Sequence, residues 1–98
     1  MADWYLYLVR TRQNTIYTGI ATDVDRRLRE HGVGGDSAAR YLRGRGPLEL
    51  VYRVRVGDRS LALRLEYAIK QLSRRQKDLI IAGTPDRRSL LQLLDVAP

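Results

Sequence analysis

The stretch TIYTGIATDVDRRLREH, Thr15 to His31, decides how the rest of the chain is read. It passes from a β-branched and aromatic segment, through one glycine, into a run with helical spacing that opens on paired arginines. Upstream, WYLYLV from Trp4 to Val9 alternates large residues as a half-buried strand does. IYTGI, Ile16 to Ile20, is then its hairpin partner across the polar turn Arg12-Gln13-Asn14. An odd-numbered connection gathers Leu6, Leu8, Ile16, Thr18 and Ile20 on one face. It sets Tyr7 opposite Tyr17 and Tyr5 opposite Gly19 on the other, tyrosine-rich face. An even connection mixes the two sets, so the odd one is expected.

A helix follows at once. Thr22 is placed to cap it, with Asp25 three residues on reaching back, and Val24 and Leu28 turn inward before it ends near His31. Residues 32–46 are a glycine-rich loop with room for a short helix over 37–42. LELVYRVRV, Leu48 to Val56, is a third strand. It carries Leu48, Leu50, Tyr52, Val54 and Val56 on one side and Glu49, Arg53 and Arg55 on a wet side. Asp58 caps a helix whose apolar stripe is Leu61, Leu65, Ala68, Ile69 and Leu72. SRRQ from Ser73 is a further capping box, opening a helix that ends at Gly83. In TPDR, Thr84 is the expected cap and Pro85 the first residue of a last helix bearing Leu90, Leu91, Leu93 and Leu94. The order ββαβααα predicts an α+β fold, a three-stranded antiparallel sheet flanked by helices.

Composition narrows the function. The 98 residues suit one domain, and 44% hydrophobic with 30% charged residues is the balance of a folded chain. No apolar run approaches the ~20 residues of a membrane span. The N-terminus lacks a signal-peptide pattern, so a cytoplasmic protein with no membrane partner is expected. Without cysteine there is no disulfide, thiolate ligand or cysteine nucleophile. Eighteen basic residues against eleven acidic give +7, which favours a polyanion such as nucleic acid. Arg40, Tyr41, Arg43 and Arg45 can drape along a phosphate backbone, with Tyr41 free to stack. Arg74, Arg75 and Lys77 form a second basic cluster. Six tyrosines and no phenylalanine imply that hydroxyls are wanted somewhere.

Several of these segments together resemble one family. YLY at Tyr5–Tyr7, YTG at Tyr17–Gly19, RRLREH from Arg26 and ALRLEYAIKQL from Ala62 to Leu72 look like the ordered motifs of the GIY-YIG nucleases. ARYLRGRGPLELVY, Ala39 to Tyr52, is similar to that family's small stand-alone bacterial branch. The resemblance spans about residues 4–80. It departs at Tyr5, where the family's first motif has glycine, and at Ile20, where several relatives carry lysine.

The resemblance implies a nuclease-like domain over 1–82, with 83–98 a helical extension of the same domain. It implies metal-dependent endonucleolytic hydrolysis of DNA phosphodiesters, in repair, recombination or processing. Glu66 corresponds to the ligand of Mg²⁺ or Mn²⁺, and Tyr17 to the general base or orienter of the attacking water. Arg27 corresponds to the residue that stabilises charge on the phosphate, Tyr7 to a supporting tyrosine, and His31 to a histidine one turn after Arg27. A phenol with a reference pKa of about 10 is a poor base unless nearby cations favour the phenolate, and Arg27 and the metal are the candidates. Gly19 is expected to leave room for a nucleic-acid backbone, and Arg26 and Lys70 extend the contacts of the two basic clusters. The expected partner is DNA, whether branched, nicked or single-stranded, with RNA as an alternative and a homodimer or protein partner supplying targeting. The competing readings are a non-catalytic nucleic-acid-binding module and, for Glu66, a plain helix-surface pair with Lys70 four residues on.

Overall fold

The first hairpin closes around Asn14, whose backbone is left-handed at φ 66°. Asn14 N–H donates to the Thr11 carbonyl at 2.8 Å and Thr11 N–H to the Thr15 carbonyl at 2.9 Å, leaving three residues in the loop. This comes from a computed structural model, which describes residues 2–32 and 48–98 apart from the side chains of 31 and 32. The elements are β1 (Trp4–Arg10), β2 (Ile16–Ala21), α1 (Val24–Gly32), β3 (Glu49–Gly57), α2 (Arg59–Lys70), α3 (Arg74–Gly83) and α4 (Arg87–Leu94). The strands form one antiparallel sheet in the order β2-β1-β3. The expected α+β architecture and element order are therefore those observed.

Because the loop is centred on Gln13, Tyr7 pairs with Gly19, Val9 with Tyr17 and Tyr5 with Ala21. The face assignment follows the expected parity, but the pairing is displaced by two residues, so Tyr7 does not lie opposite Tyr17. Leu6 and Leu8 are fully buried against Tyr52, Val56, Leu61, Leu65, Ile69, Ile80 and Leu90. On the opposite face Tyr7, Val9, Ala21 and Val24 form a smaller cluster with Tyr5, Tyr17 and Leu28 around it.

β3 departs from simple alternation. Leu8 pairs with Tyr52 but Val9 with Leu50, so Val51 is an extra residue in the strand. Val51 packs against the leucine core, while Leu48 and Leu50 cross to the tyrosine face instead of joining Tyr52 and Val54. Two caps also move. Arg26 N–H donates to Asp23 Oδ1 at 3.0 Å, so Asp23 and not Thr22 caps α1. Thr84 is the left-handed residue closing α3, and Asp86 caps α4 by accepting from Ser89 N–H at 2.9 Å. In each Thr-Asp choice the carboxylate wins, since a full negative charge gains most at the positive end of a helix dipole. Asp58 and the Ser73–Gln76 box cap as expected. Tyr52 hydroxyl donates to the Pro85 carbonyl at 2.7 Å and Arg87 Nε to the Val56 carbonyl at 3.0 Å, tying α4 to the sheet.

Candidate active site

Tyr7 sits on the central strand and is 1% exposed. The hydroxyl end of its ring stands close over Gly19. A Cβ at position 19 would stand 2.5 Å from the Tyr7 hydroxyl oxygen and 2.6 Å from Cζ, so only glycine fits beneath the ring. The room expected at Gly19 for nucleic acid is thus occupied from one side by Tyr7, which gives the glycine a reason within the fold.

Burial pushes the Tyr7 phenol up to about 12, and the neighbouring Tyr17 pushes the same way. Arg27 opposes both, by its charge and by a hydrogen bond to the Tyr7 side chain, and Glu66 adds a smaller upward push. Four side chains from β1, β2, α1 and α2 therefore share one electrostatic neighbourhood. Local structure explains how. α1 starts directly after β2, and Arg27 falls one turn from Val24, which is buried in the tyrosine-face cluster. Glu66 lies one residue after the fully buried Leu65 and is largely shielded, its side chain 18% exposed.

Two details bear on chemistry. The Arg27 Nε is buried and has no hydrogen-bond partner among the described residues. A buried guanidinium N–H without an acceptor is costly and favours a bound anion. Lys70 Nζ stands 3.3 Å from Glu66 Oε2, so the i,i+4 pair and the candidate ligand are the same carboxylate. Among the described residues no three histidines or carboxylates gather to cage a metal. The donors present are one carboxylate and phenolic oxygens, an all-oxygen set that suits a hard divalent cation keeping most of its waters. The residues fit such an ion held at Glu66.

The other expected contacts divide. Arg26 is exposed and pairs with Glu30 at 3.3 Å beside Arg27. Arg74 is engaged at the hairpin turn, bonding the Asn14 carbonyl and, at 3.1 Å, its Oδ1, and also Asp78 at 3.0 Å. Arg75 and Lys77 share that helix, with Arg75 exposed and Lys77 half-buried. The turn begins at Thr11, about 13 Å along the hairpin from Tyr7, four residues at roughly 3.3 Å each. The His31 side chain, Arg40, Tyr41, Arg43, Arg45 and the short helix over 37–42 lie outside the described residues.

One feature went unread in the sequence. A cleft of about 510 Å³, lined by Trp4, Ile20, Arg26, Arg27, Arg59 and Leu63 among others, includes residues of both α1 and α2. The available signal was Arg59, the first residue of α2, where the helix dipole disfavours a cation. Its guanidinium is held over the Trp4 ring, 5.4 Å from the centroid.

Known proteins resemble this chain over most of its length. The family model described as the GIY-YIG catalytic domain matches residues 3–78, a span holding Tyr7, Tyr17, Arg27 and Glu66. The UPF0213 protein YhbQ of Salmonella arizonae is 53% identical over 94 residues, covering 96% of this chain and 92% of that one. The YhbQ protein of Escherichia coli is 55% identical over the same length. The solution NMR structure of the UPF0213 protein BH0048 from Bacillus halodurans superposes with a TM-score of 0.55 at 35% identity, covering 97% of this chain and 99% of that one. A model match over most of the chain, and relatives this similar along nearly their whole length, place the protein in the GIY-YIG family, beside its small bacterial UPF0213 members.

Proposed function

We propose that the protein is a metal-dependent endonuclease that hydrolyses DNA phosphodiester bonds, acting in repair, recombination or processing in the cytoplasm. The observation that carries this reading is the convergence of Tyr7, Tyr17 and Glu66 with Arg27, whose Nε–H is buried and has no partner among the described residues. Glu66 would hold Mg²⁺ or Mn²⁺, which when bound supplies positive charge to a phosphate oxygen. Arg27 binds a second oxygen of the same phosphate and stabilises charge developing there. Tyr17 orients the attacking water and accepts its proton. Tyr7, with its phenol at about 12, stays protonated and holds Arg27 in place through their hydrogen bond. His31 would assist at the phosphate from one turn further along α1. Arg26 extends the contact to DNA, and a homodimer or a protein partner would add targeting. No helix among the described residues is long and apolar enough to cross a membrane.

The second reading, a non-catalytic nucleic-acid-binding module, draws on the Lys70 ammonium 3.3 Å from Glu66, which competes with a metal for that carboxylate. Incubation with plasmid, single-stranded and branched DNA, in Mn²⁺ or in EDTA, separates the two. Cleavage that EDTA abolishes supports the enzyme. Binding of DNA without cleavage of any form supports the module.

A further inference from the structure

The cleft of about 510 Å³ shares Arg27 with the candidate active site but extends away from the tyrosines to Trp4 and Arg59. Its chemistry is divided. Ile20 and Leu63 supply apolar wall, Trp4 an aromatic ring, and Arg27 and Arg59 positive charge. Its carboxylates are engaged internally, Asp23 capping α1 and Glu30 pairing with Arg26. Among the described residues Arg59 forms no ion pair, so its charge stands against the dipole of its own helix with only the Trp4 ring beneath it. Packing alone gives little reason to place a cation there. Clefts of roughly 300–1,000 Å³ take molecules of nucleotide size. Bases stack on aromatic rings and on guanidinium planes.

We propose that this cleft is a nucleobase subsite. The phosphate chain turns at Arg27, and the base of the adjoining nucleotide seats against the Trp4–Arg59 stack with Leu63 as its apolar wall. The subsite rests on the nuclease reading for the position of the reacting phosphate and adds where the neighbouring base goes. It also makes Arg59 a binding residue although it lies outside the motifs that carry the family resemblance. Because such a seat receives a base face, the base must leave any helical stack to occupy it.

The only tryptophan in the chain is Trp4, so its emission reports the subsite directly. The full-length protein in EDTA, where no cutting intervenes, is titrated with an eight-residue oligothymidylate and with an abasic deoxyribose-phosphate chain of equal length. Oligothymidylate is expected to change Trp4 emission and to bind roughly 5- to 150-fold more tightly than the abasic chain. Arg59→Ala, which relieves a helix-dipole conflict and is expected to fold, should lose about tenfold for oligothymidylate and no more than about threefold for the abasic chain. Trp4→Phe should retain base-dependent binding, followed by anisotropy of a labelled oligonucleotide. Equal binding of the two probes, unchanged Trp4 emission on binding, or binding of neither overturns the subsite. Base-dependent binding by a protein that cuts no DNA leaves the subsite standing and retires the nuclease; metal-dependent cutting with base-independent binding does the reverse.

Discussion

The two faces of this three-stranded sheet follow different physical logic. On one, Leu6, Leu8, Leu61, Leu65, Ile69 and Leu90 exclude water from one another, and burial accounts for their identity. On the other, Tyr7, Tyr17 and Arg27 keep polar atoms in a shielded place where aliphatic side chains would pack at lower cost. Glu66 belongs to a helix of the first face yet acts on Tyr7, so a single residue of α2 links the two. The lesson is that the leucine face sets stability while the tyrosine face holds groups whose retention needs a function.

That contrast breaks most visibly by mutation. Arg27→Ala should lower a metal-dependent cleavage rate by about 10²–10³-fold, as loss of a charge-stabilising donor does, while the melting temperature moves little. Leu65→Ala should do the opposite. Its side chain is fully buried, so chemical unfolding should show a loss of about 2–5 kcal/mol, with specific activity unchanged where the protein remains folded. Gly19→Ala falls between, because the added methyl meets the Tyr7 ring. A stability loss of about 1–3 kcal/mol is expected, together with reduced cleavage from a displaced Tyr7.

Alkaline titration compares the faces with one chemical group. Tyr7 and Tyr52, one on each face, are both pushed up to about 12, chiefly by burial, with the Asp86 carboxylate adding to the effect at Tyr52. Both folded values lie above the ordinary value of 10.0, so each phenol contributes fully below pH 10. That contribution is lost as pH rises through 12, at about 1.4 kcal/mol per pH unit for each group. Urea unfolding at pH 9, 10 and 11 should show this decline, and Tyr7→Phe or Tyr52→Phe should each remove one share of it. A flat profile would show that these phenols are not held neutral by burial.

Much of this was legible in the residues, for reasons that differ by element. The alternation of Leu6 and Leu8 with Tyr5 and Tyr7 determined which side chains share a face, because strand period is two whatever the pairing. The pairing itself depended on a loop centred on Gln13, with Asn14 left-handed, and alternation is silent about a shift of two. In LELVY every second position offered a consistent stripe, so the bulge at Val51 left no trace in the pattern. Thr22-Asp23 and Thr84-Pro85-Asp86 each offered two capping side chains, and the choice between them depends on backbone geometry. Glu66 could be singled out by its motif, yet Lys70 four residues on was an equally good partner, and the structure pairs the two while Glu66 also acts on Tyr7. The Trp4–Arg59 stack joins residues 55 positions apart that belong to no motif, so periodicity could not find it.

The most direct measurement compares the single-turnover cleavage rate of the native protein with that of Glu66→Gln, at saturating protein and in Mn²⁺, on the DNA form that the native protein cuts best. Removing the carboxylate proposed to carry the ion, while keeping its shape, should cut the rate by at least about 10³-fold and leave DNA affinity within a fewfold. A Glu66→Gln protein that is folded, binds DNA and cleaves it at the native rate would contradict the account.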